Sequence, residues 1–115
     1  MEIFQPLSDF YKAIEDDAKI NATHISLYFA LLQKWNLDQS KNTFLIIRDE
    51  LMKTAKISSR HTYNKCMNEL DEYGYIHYVP SLNPLSGSTV HLKFIDLASE
   101  ILSKNSETRK EAYGK

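Results

Sequence analysis

A single cysteine, Cys66, leaves the chain unable to close an internal disulfide, which suits a reducing compartment. Three glycines and three prolines in 115 residues are too few for a linker-rich or low-complexity chain. No apolar run approaches the roughly 20 residues that a membrane-spanning helix requires, so no membrane association is expected. The opening Met1-Glu2-Ile3-Phe4-Gln5-Pro6 lacks the basic and apolar regions of a signal peptide, and the cytoplasm is the expected compartment. A glycine-rich phosphate loop is missing, and no serine sits in a recognisable nucleophile motif. Catalysis is therefore not expected, and neither a cofactor nor a small-molecule ligand is implied. The histidines are His24, His61, His77 and His91, and no pair among them or with Cys66 has the short spacing of a structural zinc site. No metal is expected on that ground.

Charge of one sign is also lacking. Lys and Arg number 14 against 15 Asp and Glu, a net charge of −1, so affinity for a polyanion has to come from a local patch. Such a patch is present. Residues 1–34 carry Glu2, Asp9, Glu15, Asp16 and Asp17 against Lys12, Lys19 and Lys34. Residues 48–68 reverse the balance, with Arg48, Lys53, Lys56, Arg60 and Lys65 against Asp49 and Glu50.

What remains, 43% hydrophobic and 11% aromatic residues, describes one globular domain with a core of three or four helices. Ser8 or Asp9 can cap a first helix reaching about Lys19, with Phe10, Ala13, Ile14 and Ala18 as its apolar stripe. Asn21 or Thr23 caps a second through about Trp35, on which Ile25, Tyr28, Phe29, Leu32 and Trp35 recur at helical spacing and Leu27 and Leu31 widen the stripe. The β-branched, apolar run Thr43–Ile47 predicts a strand. Arg48–Lys56 predicts a short helix with Leu51, Met52 and Ala55 inward. After the turn Ile57-Ser58-Ser59 comes a longer helix to Tyr73, stopped by Gly74. Tyr75–Val79 and Thr89–Phe94 alternate as strands on either side of a loop, with Val90, Leu92 and Phe94 on one face. Asp96 can cap a last helix, Leu97–Ser103, and the polar residues 105–115 are expected to fray. Residues 1–104 thus form the expected domain. The order α-α-β-α-α-β-β-α is mainly helical α+β, and a short helix, a turn, a longer helix and a hairpin make a winged helix-turn-helix.

On the helix 59–73, Tyr63, Cys66, Met67 and Leu70 fall at i, i+3, i+4 and i+7, a core stripe. Arg60, His61, Asn64, Lys65 and Asn68 occupy the other side, free of carboxylates until Glu69, whereas a merely solvated helix interleaves acids as i,i+4 partners. Arg matches guanine bidentately and Asn matches adenine, while Lys and Ser serve phosphates. The expected duplex-DNA contacts are therefore Ser59, Arg60, His61, Asn64, Lys65 and Asn68 at the groove. Arg48, Lys53 and Lys56 would lie near phosphates, with Asn83 and Lys93 from the hairpin. The hairpin tip Leu82–Ser88 is uncharged, so Leu82 and Leu85 can instead serve a protein contact. That leaves a protein-interaction module on the same scaffold as the alternative function. Phe4, Leu7, Phe10, Leu97, Ile101 and Leu102 are candidates for a homodimer interface. A hairpin centred on Pro84 sets His77 opposite His91, expected as solvated strand residues. The acids Glu15, Asp16 and Asp17 are likewise read as solvated, and Cys66 as an inert core residue.

The segment Arg48-Asp49-Glu50-Leu51-Met52-Lys53-Thr54-Ala55-Lys56-Ile57-Ser58-Ser59-Arg60 resembles a known family. The same holds for Thr62-Tyr63-Asn64-Lys65-Cys66-Met67-Asn68-Glu69-Leu70, for Tyr73-Gly74-Tyr75-Ile76 and for Pro80-Ser81-Leu82-Asn83-Pro84. The chain resembles, over residues 22–94, the winged helix-turn-helix proteins of Bacteroidetes mobile elements, similar to the N-terminal domains of phage replisome organisers and plasmid replication initiators. The resemblance implies binding of double-stranded DNA by the second helix of the motif, in transcription, replication or excision of the element. One departure stands out. Ile47 occupies the position where such proteins carry a capping serine, leaving the cap to Asp49 or to nothing.

Overall fold

A computed structural model describes residues 4–38, 43–82 and 87–93, with Phe4 through its backbone alone. Four helices and three strands follow in order: α1 (Phe4–Ile14), α2 (Ala22–Leu37), β1 (Thr43–Ile46), α3 (Arg48–Ala55), α4 (Arg60–Glu72), β2 (Ile76–Val79) and β3 (Ser88–Leu92). The expected order holds up to β3. The expected helix Leu97–Ser103, the stripe residue Phe94 and the tail lie outside the described residues. Mainly helical α+β is the observed class, and no helix among the described residues is long and apolar enough to cross a membrane.

Helix α1 begins earlier than the caps at Ser8 and Asp9 predict, and it stops at Ile14 rather than near Lys19. Pro6 is accommodated because first-turn N–H groups have no helical acceptor to lose. The early stop has a local cause at Asp17. Its carboxylate accepts from the Lys19 N–H at 3.1 Å and from the Tyr75 hydroxyl at 2.6 Å, offering the backbone an alternative to the helical ladder. Asp17 is therefore a tether between the α1–α2 connection and the start of β2, not a solvated acid. Ala13, inside α1, and Ala18, beyond its end, are both expected inward and are exposed.

Asn21 caps α2, accepting from the N–H groups of Thr23 and His24 at 3.0 and 3.2 Å, while His24 Nδ1 accepts from the Asn21 N–H at 3.0 Å. This is a capping box with histidine in the place usually held by Glu or Gln. His24, Leu27, Tyr28, Leu31 and Trp35 then form the buried arc, with Ala30 and Leu32 flanking it. Phe29, expected on that stripe, falls outside the arc and is 43% exposed. Phe10 of α1 stacks on Tyr28 with ring centroids 3.8 Å apart and meets the edge of Tyr75 at 5.6 Å.

Ile47 is the N-cap of helix α3, and its side chain makes no cap bond. Asp49 and Glu50 in the first turn put negative charge beside the free N–H groups instead. Its end is a Schellman closure: Lys56 takes a left-handed φ of 61°, its N–H reaches Lys53 O, and the Ile57 N–H reaches Met52 O. Ser59 Oγ then accepts from the Thr62 N–H at 3.2 Å and caps α4. Tyr63, Cys66, Met67 and Leu70 are all buried, as the spacing predicts. The helix closes through Gly74, φ 86°, with the Tyr75 N–H bonded to Leu70 O.

The strands form one antiparallel sheet in the order β1-β3-β2. Phe44 pairs with Val90 and Ile76 with Leu92, and all four side chains point into the core. Strand β2 starts one residue later than expected because Tyr75 is consumed in closing α4.

Candidate nucleic-acid interface

Burial of Tyr63, Cys66, Met67 and Leu70 fixes the rotation of α4 and so decides what it shows to solvent. Arg60, His61, Asn64, Lys65 and Asn68 are all exposed. Arg60, Asn64 and Asn68 recur every fourth residue and form one row; His61 and Lys65 form the next. Ser59, just before them, is exposed, but its hydroxyl is engaged as the helix cap.

Two of the three acids at the far end of α4, Glu69 and Asp71, are engaged by other groups, whereas Glu72, four residues beyond Asn68 on the same row, stays exposed. Glu69 Oε1 lies 2.9 Å from His24 Nε2, and its Oε2 accepts from the Tyr73 hydroxyl at 3.3 Å. Since His24 Nδ1 is already an acceptor, neutral His24 carries its proton on Nε2 and donates it to Glu69. The His24 hydrogen bond holds the Glu69 carboxyl below the usual carboxylate range. Asp71 Oδ1 accepts from the Tyr78 N–H at 3.3 Å and lies 3.9 Å from His77 Nδ1. What remains outward over the first two turns of α4 is cationic and amide-bearing.

Lys53 and Lys56 are exposed, and among the described residues no carboxylate forms an ion pair with either or with Arg60 or Lys65. Arg48 differs. It is half-buried and its Nε contacts Asp49 Oδ1 at 3.3 Å, so its charge is partly spent locally. Lys93 is exposed just beyond β3, while Asn83 and Leu85 lie outside the described residues. Leu82, at the base of the hairpin loop, is fully exposed.

His77 and His91 are cross-strand partners, as the hairpin centre predicts; His77 is exposed and His91 half-buried. The dimer candidates fare less well. Phe10 is 1% exposed and packs within its own protomer, and Leu7 leans on the same core. The Phe4 side chain and Leu97, Ile101 and Leu102 lie outside the described residues. Phe10 is thus corrected from an interface residue to a core residue, because its ring is already stacked on Tyr28.

One grouping escapes the sequence reading altogether. His24, Cys66 and Glu69 bring a ring nitrogen, a thiol and a carboxylate within 4.8 Å of one another. Cys66 and Glu69 stand one turn apart and could be paired by eye, but His24 arrives from α2, and no short spacing reports that. Burial pushes the Cys66 thiol up from its ordinary value, with the Glu69 carboxylate adding to the shift.

No family model matches the chain, and no curated protein or solved structure matches it either.

Proposed function

We propose that the chain is a winged helix-turn-helix domain that binds double-stranded DNA without catalysing a reaction, as a transcription regulator or a replication or excision factor of a mobile element. In this reading α4 enters the major groove, α3 is the first helix of the motif, and the β2–β3 hairpin is the wing. The observation that carries it is the outer face of α4: Arg60, Asn64 and Asn68 in one row beside His61 and Lys65. Of the acids that follow, Glu69 and Asp71 are held by His24, Tyr73 and Tyr78, and the exposed Glu72 lies about three turns from Arg60, at the far end of the row. Guanidinium and amide groups at that spacing suit purine edges, and Lys53, Lys56 and Lys65 suit the flanking phosphates.

A second reading, a protein-interaction module on the same scaffold, draws support from Leu37, Leu45 and Leu82, which are 65%, 52% and 105% exposed. Binding to a selected site and to random duplex DNA, each at two salt concentrations, separates the two. Arg60→Ala or Asn64→Ala is expected to cost about 1–3 kcal/mol on the selected site and to relax its sequence preference. Lys65→Ala is expected to weaken all duplexes alike and to lower the salt slope by about one. If the parent binds neither DNA above background, the interaction reading takes over.

A further inference from the structure

His24 is the one buried polar or charged residue among the described residues, at 1% exposure. Its Nδ1 closes the capping box of α2, while its Nε2 side faces the 4% exposed Cys66 and the half-buried Glu69. We propose that His24 Nε2, Cys66 Sγ and a Glu69 carboxylate oxygen form a binding site for one thiophilic divalent cation of the zinc class, clamping the first turn of α2 to the inner face of α4. This inference does not depend on DNA binding, since the site lies on the side of α4 away from Arg60 and Asn64.

The donor set fits the ion. Zinc is borderline-soft and takes thiolate, imidazole and carboxylate ligands together, and three protein donors leave a fourth position for water. Ligands around a tetrahedral zinc stand roughly 3.5 Å apart, given metal–ligand bonds of about 2.0–2.3 Å. The donor atoms here lie within 4.8 Å, and two of them, on His24 and Glu69, are already 2.9 Å apart. Rotation of the Cys66 and Glu69 side chains supplies the contraction. Glu69 is also braced by the Tyr73 hydroxyl at 3.3 Å, the kind of outer contact that orients a carboxylate ligand.

The protons balance simply. The cation replaces the Nε2 proton, which moves to Nδ1, and the Cys66 thiol releases its proton to solvent as the metal–sulfur bond forms. Nδ1–H and the Asn21 N–H would then face each other as two donors, so the capping box has to open as the cation binds and occupancy is opposed by the N-cap of α2. With two charges on the cation and one each on thiolate and carboxylate, the loaded site is neutral, which suits its burial.

The test uses the full chain, freed of metal by a chelator and titrated with Co²⁺ as a spectroscopic probe. One Co²⁺ per chain is expected, with visible bands of a tetrahedral ion and a thiolate-to-metal charge-transfer band. Zn²⁺ is expected to displace it and raise the melting temperature. Cys66→Ser removes the charge-transfer band. Glu69→Gln, at a half-exposed position where folding can be verified by circular dichroism, weakens Co²⁺ binding by at least about tenfold, the lower end seen even for outer-shell changes. Replacing both His77 and His91 with Gln leaves the spectrum intact. The proposal is overturned if Co²⁺ gives no charge-transfer band and Zn²⁺ no thermal shift, or if the band persists in Cys66→Ser. It is equally overturned if the spectrum disappears with the hairpin histidines. Should Cys66→Ser not fold, Glu69→Gln decides: unchanged Co²⁺ affinity refutes the site.

Discussion

Gly74 and Gly87 both have left-handed backbones, with φ of 86° and 78°, but their surroundings differ, and a paired substitution separates two physical costs. At Gly74 an added Cβ meets nothing within 4 Å, so Gly74→Ala pays only the conformational penalty of an L-residue in that region, about 1–2 kcal/mol. At Gly87 the same Cβ would sit 2.7 Å from Leu45 Cδ2, 2.8 Å from Ile46 O and 3.1 Å from Ile47 Cδ1. The leucine methyl can swing away. The Ile46 carbonyl is backbone, in the strand that pairs with β3 through Ile46 and Ser88, so it moves only if β1 moves. Overpacking of this kind adds roughly 1–3 kcal/mol. Gly87→Ala is therefore expected to be the more destabilising of the two by about that margin. Urea denaturation followed by circular dichroism reads the difference as a lower midpoint with an unchanged slope. In thermal unfolding each kcal/mol corresponds to roughly 4–8 °C in a domain of this size. If Gly87→Ala costs no more than Gly74→Ala, the close packing of the hairpin base on β1 is wrong.

Leu70→Ala, at a fully buried position between α4 and the core, is expected to cost about 2–5 kcal/mol, read from the same denaturation curves; a cost below about 1 kcal/mol would put Leu70 outside the core. Tyr75→Phe probes the tether to Asp17, whose carboxyl is held below its ordinary value chiefly by the Tyr75 hydroxyl and then by Lys19. That stabilisation is present above the unfolded carboxyl pKa of about 3.9 and is lost as pH falls through the lower folded value. The phenol itself, pushed up to about 12 mainly by burial, remains a donor throughout. The stability gap between parent and Tyr75→Phe should thus be widest near neutral pH and narrow in acid; a gap that does not change with pH would refute the tether.

Periodicity alone carried much of the fold. The stripe Tyr63, Cys66, Met67 and Leu70 is buried as read, because a four-residue apolar repeat on an otherwise polar helix allows only one rotation against a core. Gly74 marked the end of α4, since closing a helix with a left-handed residue favours the one lacking Cβ. The hairpin centre near Pro84 put His77 opposite His91, because antiparallel register follows from where the turn lies. The outer face of α4 was legible on the same terms, as the complement of the core stripe.

Tertiary contacts decided the rest. The length of α1 turned on Asp17, whose acceptors are taken by Lys19 and by Tyr75 from far along the chain. Lys56 closes α3 in a left-handed conformation that propensity disfavours, because Ile57 gains a buried place by it. Phe10 became a core residue through its stacking on Tyr28. Glu69 looked like the first acid on an exposed face, and only the arrival of His24 from α2 turned it inward and assembled a nitrogen, a sulfur and an oxygen donor in one place. A sequence fixes which side of a helix is apolar, since that depends on spacing within the helix. Which polar groups meet across two helices depends on the rotation and offset of both, and packing sets those.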